Sequence, residues 1–356
     1  MKTTLLLLSL LLAGATGAPL HAADTAGLAR LEISAPARGE KLTIKVWYPA
    51  QAGGEEIRVD ESRLFKGSPA FASAPPAPGR HPLILFSHGS GSRIDSIGWL
   101  AARLAEAGFI VAGPNHPGTT SGDSTPIDTP KLWERTEDLS ALITALTADP
   151  SWKDRIASDK IGVLGFSLGG AAALEIGGAT ADREAYARYC ETYPTMADCV
   201  WFAGGKGYVK GEPVVSPKVD LRQVDKQRFE QSNRDPRIRA VVAVDPALAQ
   251  AYDATSLGEI DIPVHLINLG RAGTVPVAVE AKALAALIPR GSHERVDDAR
   301  HFSFLPECQA GGADLLKSLG DTDRLCEDGG HRSRADIHQE LTGKIIAAFT
   351  RLLTLR

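Results

Sequence analysis

Cysteine is scarce in this chain, with four among 356 residues. So few cannot staple together a protein of this length, and a hydrophobic core must carry its stability. No C-x-x-C spacing occurs, which argues against a structural zinc site. An excess of one charge is missing too. The 39 basic residues meet 43 acidic ones, and a net charge of −4 lacks the basic surplus of a nucleic-acid binder. The longest N-terminal apolar run falls far below the roughly 20 residues that span a bilayer. Motifs for a nucleotide, flavin or metal are absent, and Asp298 beside His301 lacks zincin spacing, so no cofactor is expected. There is no internal repeat.

What is present is an ordinary globular composition, 44% hydrophobic and 23% charged, too apolar for disorder. The length admits two domains, although a large α/β domain often runs this long as one unit. Lys2, the apolar stretch Leu5 to Ala13 and the small-residue end Leu20-His21-Ala22 predict a signal peptide, residues 1–22, cut after Ala22. The mature protein is then expected in the periplasm or outside the cell. Export changes how the cysteines read, because an oxidising compartment permits disulfides. Four cysteines allow three connectivities. The local one is expected, Cys190 with Cys199 and Cys308 with Cys326, because each pair brackets one loop-like segment. Each small loop so closed contributes about 3 kcal/mol by chain-entropy arithmetic.

Along the mature chain, short apolar strands alternate with helices. Leu42 to Tyr48 alternates and stops at Pro49. Residues 66–82, dense in Gly, Pro, Ser and Ala, read as a surface connection. Strands are predicted at Leu83–Phe86, Gly108–Ala112, Ile161–Leu164, Val241–Val244, Val264–Leu269 and Glu294–Val296. Helices are predicted at Leu100–Ala107, Leu132–Leu146, Ala171–Ile176, Val277–Leu287 and Ile337–Leu353. This rhythm predicts an α/β fold with a mostly parallel sheet covered on both faces. Residues 184–237 break it, mixing Tyr186, Tyr189, Tyr193, Trp201, Phe202 and Tyr208 with charges, Gly and Pro. Long connections of this kind are often lids, and the segment is expected to be an ordered cap inserted into the catalytic domain of residues 23–356. Its aromatics would line a pocket or build the insert's own core.

Gly165-Phe166-Ser167-Leu168-Gly169 matches G-x-S-x-G between an apolar strand and a helix. A serine on that sharp turn needs small neighbours, and the following helix N-terminus favours developing negative charge. Ser167 is therefore the expected nucleophile. A hydroxyl needs a base. His301 follows the last strand and is the expected one, with His331 as the rival; His265 and His293 belong to strands. The acid is Asp245, ending the strand Val241–Val244, with Asp297 and Asp298 as rivals. The Leu168 amide and the Ser90 amide, in the loop after Phe86, would form an oxyanion hole. His88 in that loop reads as a structural hydrogen-bonder.

Phe86-Ser87-His88-Gly89-Ser90-Gly91, Gly165 to Gly170, Ala243-Val244-Asp245 and His301-Phe302 together resemble the platelet-activating-factor acetylhydrolase and dienelactone-hydrolase-like family of α/β-hydrolases. The resemblance runs from Leu42 to His301. It implies an acid after the sixth strand, which suits Asp245, and oxyanion donors at Ser90 and Leu168. Phe166 stands where the acetylhydrolases usually carry His, and Ser167 where true dienelactone hydrolases carry Cys. The sequence thus predicts an exported serine hydrolase of small, lipid or polymeric carboxylic esters, with an amidase or peptidase as alternative and, behind it, a non-catalytic binding protein on a hydrolase scaffold.

Overall fold

The computed structural model describes residues 23–320 and 323–354. The predicted signal peptide lies outside these residues. Fourteen strands are described. In chain order they are β1 (Thr25–Ala35), β2 (Glu40–Ala50), β3 (Glu55–Val59), β4 (Ser68–Ala72), β5 (His81–Ser87), β6 (Ile110–Pro114), β7 (Thr119–Thr120) and β8 (Asp123–Ser124). After these come β9 (Ile156–Phe166), β10 (Gly205–Val209), β11 (Glu212–Ser216), β12 (Ile238–Val244), β13 (Val264–Leu269) and β14 (Gly291–Val296). Ten form one sheet in the order β14-β13-β12-β9-β5-β6-β2-β1-β4-β3. From β6 to β14 every neighbouring pair is parallel, while β2 joins β6 antiparallel. Parallel strands need crossovers, and the helices that make them bury both sheet faces. The central strands accordingly read as unbroken apolar runs, β5 as His81-Pro-Leu-Ile-Leu-Phe-Ser87, buried along its whole length.

Helices α1 (Gly98–Glu106), α2 (Leu132–Ala148), α3 (Leu168–Ile176), α4 (Arg183–Thr192) and α5 (Ala197–Phe202) follow the chain to the inserted segment. A last helix, Arg334–Leu352, packs Ile337, Leu341, Ile345 and Phe349 onto the sheet. One apolar layer takes in Leu83, Leu85, Val163 and Val241; the other takes in Ile84, Leu164, Val242 and Phe349. Alternate residues of the same strands feed opposite layers, as the period of two demands.

Two readings need correction. Residues 66–82 are not all surface connection, because β4 pairs with β1 and β3 and buries Ala70 completely. Its Ser-Pro-Ala-Phe-Ala carries no bulky β-branched side chain, so turn-like composition conceals a strand near the sheet edge. The predicted helix Val277–Leu287 is split into a 3₁₀ turn, Val277–Val279, and a helix, Lys282–Leu287. The side chain of Asn268 takes the Val279 carbonyl and the Ala281 amide, so those groups are lost to a continuous helix.

The segment 184–237 is ordered. It contributes α4, α5 and the hairpin β10–β11, which joins β8 and β7 in a second sheet. Tyr186, Tyr189, Phe202 and Phe229 are buried together with Trp133 and Leu168, so these aromatics build a core between the insert and α3. Cys190 and Cys199 lie with their sulfurs 2.05 Å apart, and Cys308 and Cys326 at 1.98 Å. Among the described residues no helix is long and apolar enough to cross a membrane.

Candidate active site

Ser167 sits between β9 and α3 with φ +55° and ψ −120°, a conformation L-residues rarely adopt. The turn holds because its neighbours are glycines. A Cβ on Gly165 would stand 2.0 Å from the Gly169 carbonyl oxygen, and one on Gly169 would stand 1.9 Å from the Ser87 carbonyl oxygen. No other residue fits at either place.

His301, in a 3₁₀ turn after β14, brings Nε2 within 3.1 Å of Ser167 Oγ. Its Nδ1 lies 2.9 Å from Asp245 Oδ2. Asp245 follows β12 and is fully buried. Oδ1 accepts the Asn268 side-chain amide at 2.8 Å and the Leu269 backbone amide at 2.9 Å. With Asp245 Oδ2 accepting from Nδ1, the imidazole proton sits on Nδ1 and Nε2 is open toward the serine. The structure therefore brings Ser167, His301 and Asp245 into one chain. The rival acid Asp298 pairs with Arg271 instead. His265 bonds Ser292, and His293 bonds Asn268. His338 stacks on Trp99 at 3.6 Å, and burial lowers it to about 4. His331 lines a cleft of about 660 Å³ beside His301, together with Leu269, Arg271, Pro276 and Phe302.

Leu168 opens α3, so its amide has no intrahelical acceptor. Ser90 is exposed at the turn after β5, and Gly89 lies so near that its Cβ would be 3.4 Å from Ser167 Cβ. Leu168 thus follows the serine directly, and Gly89, the residue before Ser90, lies against it. His88 is buried, with Nδ1 2.8 Å from the Gly89 carbonyl and Nε2 accepting the His116 amide. Burial and the charge of Arg135 hold it well below the usual histidine range, so it is neutral.

Some contributors were not evident in the sequence. Asn268 cross-links the acid strand to the loop beyond it, and its one visible sign is a polar residue inside the apolar run Val264–Leu269. Phe166 packs against the His301 ring at 4.8 Å and stacks on Phe304 at 4.3 Å, a wall that sets the imidazole's tilt. Arg135, fully buried on α2, holds the loop of Ser90 from beneath. Among the described residues no group of three His, Cys, Asp or Glu side chains is arranged to hold a metal.

A mostly parallel sheet with helices on both faces and a serine on the turn between its central strand and α3 defines the α/β-hydrolase fold. The family model Hydrolase_4, serine aminopeptidase, S33, matches residues 79–255, a stretch that includes Ser167 and Asp245 and ends before His301. The chain is similar to the bis(hydroxyethyl) terephthalate hydrolase of Streptomyces coelicolor, 32% identical over 111 residues. That match covers 31% of this chain and 33% of the relative, so the chain spans about a third of the length of that curated relative. Among solved structures, the ferulic acid esterase of Streptomyces cinnamoneus superposes with a TM-score of 0.61 at 20% identity, over 96% of this chain and 94% of that one. At that identity the likeness shows the shared fold.

Proposed function

We propose that the protein is an exported serine hydrolase that cleaves carboxylic esters through Ser167, His301 and Asp245. The observation that carries this reading is the unbroken chain from Ser167 Oγ through His301 to Asp245, built on a serine held at positive φ. Ser167 attacks the ester carbonyl while His301 Nε2 takes its proton. Asp245 stabilises the imidazolium, and the amides of Leu168 and Ser90 receive the developing oxyanion. His301 then protonates the departing alcohol, and water repeats the sequence to release the acid. No cofactor enters these steps.

The relative named as a bis(hydroxyethyl) terephthalate hydrolase and the fold neighbour named as a ferulic acid esterase support ester cleavage. The narrower kinship with the acetylhydrolases rests on the motifs themselves. Residues 184–237 are read as a cap, supported by the shared core of Tyr186 and Phe202 with Leu168. Export is supported by Lys2, the apolar run and the two cysteine pairs.

A fluorophosphonate probe should label the protein, and the label should vanish in Ser167→Ala; persistent labelling there would sink the assignment. The family description as a serine aminopeptidase favours one second reading, amide cleavage by the same residues. Matched p-nitrophenyl esters and anilides separate the two, with faster anilide turnover overturning the ester reading.

A further inference from the structure

An amide receives an oxyanion only if its peptide plane is held. The Ser90 N–H shares a flat trans peptide with the Gly89 carbonyl, so fixing one fixes the other in the opposite direction. The Gly89 oxygen accepts His88 Nδ1–H at 2.8 Å and the Ser92 amide at 3.2 Å. His88 in turn is gripped at its own carbonyl. Arg135 Nη1 donates to the His88 oxygen at 2.6 Å and to Ser87 Oγ at 3.1 Å, while Nε donates to Thr119 Oγ1 at 3.1 Å. One side chain from α2 thereby ties β5, the loop after it and β7 together.

The cost of this arrangement points to a use. Arg135 is 1% exposed, and its Nη2 has no partner among the described residues. A buried guanidinium with an idle nitrogen is expensive, and an apolar side chain of similar volume would normally serve packing better. The neighbouring carboxylate Asp138 is already engaged by both Arg38 and His116, so Arg135 directs its three hydrogen bonds to neutral oxygens. Its charge is left facing the underside of the Ser90 loop in a water-excluded setting, where electrostatic effects are large.

We propose that Arg135 is a positioning residue for ester hydrolysis: it clamps the His88 carbonyl so that the Ser90 amide stays aimed at the oxyanion, and its charge strengthens that donor. The proposal rests on the reading of Ser167 and Ser90 given above. The substrate carbonyl is nearly neutral in the ground state and the tetrahedral oxygen is negative, so the effect belongs to the transition state.

The test measures kcat and KM on a p-nitrophenyl ester, with the Ki of an alkylboronic acid that forms a negative tetrahedral adduct with Ser167. Arg135→Met should lower kcat by about 10- to 100-fold, somewhat less than outright loss of an oxyanion donor. KM should stay within about twofold, and boronate affinity should fall in step with kcat. Folded Arg135→Met with wild-type kcat and Ki, or with a change in KM alone, overturns the proposal. Should that variant fail to fold, Arg135→Lys decides, since it keeps the charge and gives up the planar fork. A matched fall in kcat and boronate affinity supports the clamp, and wild-type values overturn it. Wild-type protein that neither turns over esters nor binds boronate overturns the reading of Ser167, and this proposal with it.

Discussion

Two Ser–His–Asp chains lie among the described residues. Ser167, His301 and Asp245 are joined at 3.1 and 2.9 Å; Ser87, His116 and Asp138 are joined at 3.0 and 2.8 Å. Distances do not tell them apart. Their surroundings do. Ser167 stands on a strained turn with the His301 side chain 22% exposed beside a cleft, whereas Ser87 ends a strand and its whole chain is buried. Ser87 Oγ already accepts from Arg135 and hydrogen-bonds to His116. Burial, with Arg135 and Arg38 nearby, holds His116 well below the usual histidine range. Its conjugate acid is disfavoured there, so it is a weaker base for a serine proton than an ordinary imidazole. Under the function proposed above, the same three side chains serve as a relay where a substrate can reach them and as scaffold where it cannot.

The largest effects should separate the two chains. Ser167→Ala should lower kcat on p-nitrophenyl acetate by about 10⁵-fold or more, while Ser87→Ala should leave a phosphonate label on Ser167, formed more slowly. A peptide map placing the label on any other residue would break the comparison. Asp245→Asn should lower kcat by about 10⁴-fold with the circular dichroism unchanged. If Asp298→Asn does so instead, the acid has been misassigned.

In the buried chain the cost should appear as stability. Asp138→Ala leaves Arg38 and His116 without their shared carboxylate. Breaking such a buried pair costs about 3–5 kcal/mol, readable in urea unfolding. A loss under about 1 kcal/mol would mean that the network contributes little to folding.

A third carboxyl sharpens the contrast. Glu175 on α3 is buried like Asp245 and Asp138, but it has one partner, the Asn233 side-chain amide at 2.9 Å, and its Oε1 has none among the described residues. Burial pushes its pKa up to about 8. Because the folded value lies above the unfolded one of about 4.3, its contribution is intact below that pH and is lost as the pH rises through the folded value. Glu175→Gln should therefore gain about 5 kcal/mol at pH 9 relative to wild type and little at pH 4. Equal differences at both pH values would show that the carboxyl is not held neutral.

How much of this was legible in the sequence varies with the range of the signal. The serine turn could be read because glycine spacing, an apolar strand and a helix start all fall within a few residues of Ser167. Asp245 and His301 could be nominated because strand ends in such a sheet converge on one edge. Asn268 could not, since its meaning depends on Asp245, Val279 and His293 arriving around it. Arg135 sits among the apolar positions of α2 and looks like a solvated charge until β5 and β7 are brought against it.

What the sequence by itself determined is local: the strained turn at Ser167 and the alternation that builds a parallel sheet. What only the tertiary structure decided is which serine meets which histidine, and which of those meetings lies open to solvent. Local patterns act over a few residues through backbone sterics and hydrophobic period. Burial is collective, set by the order β13-β12-β9-β5 and by the layers packed upon it.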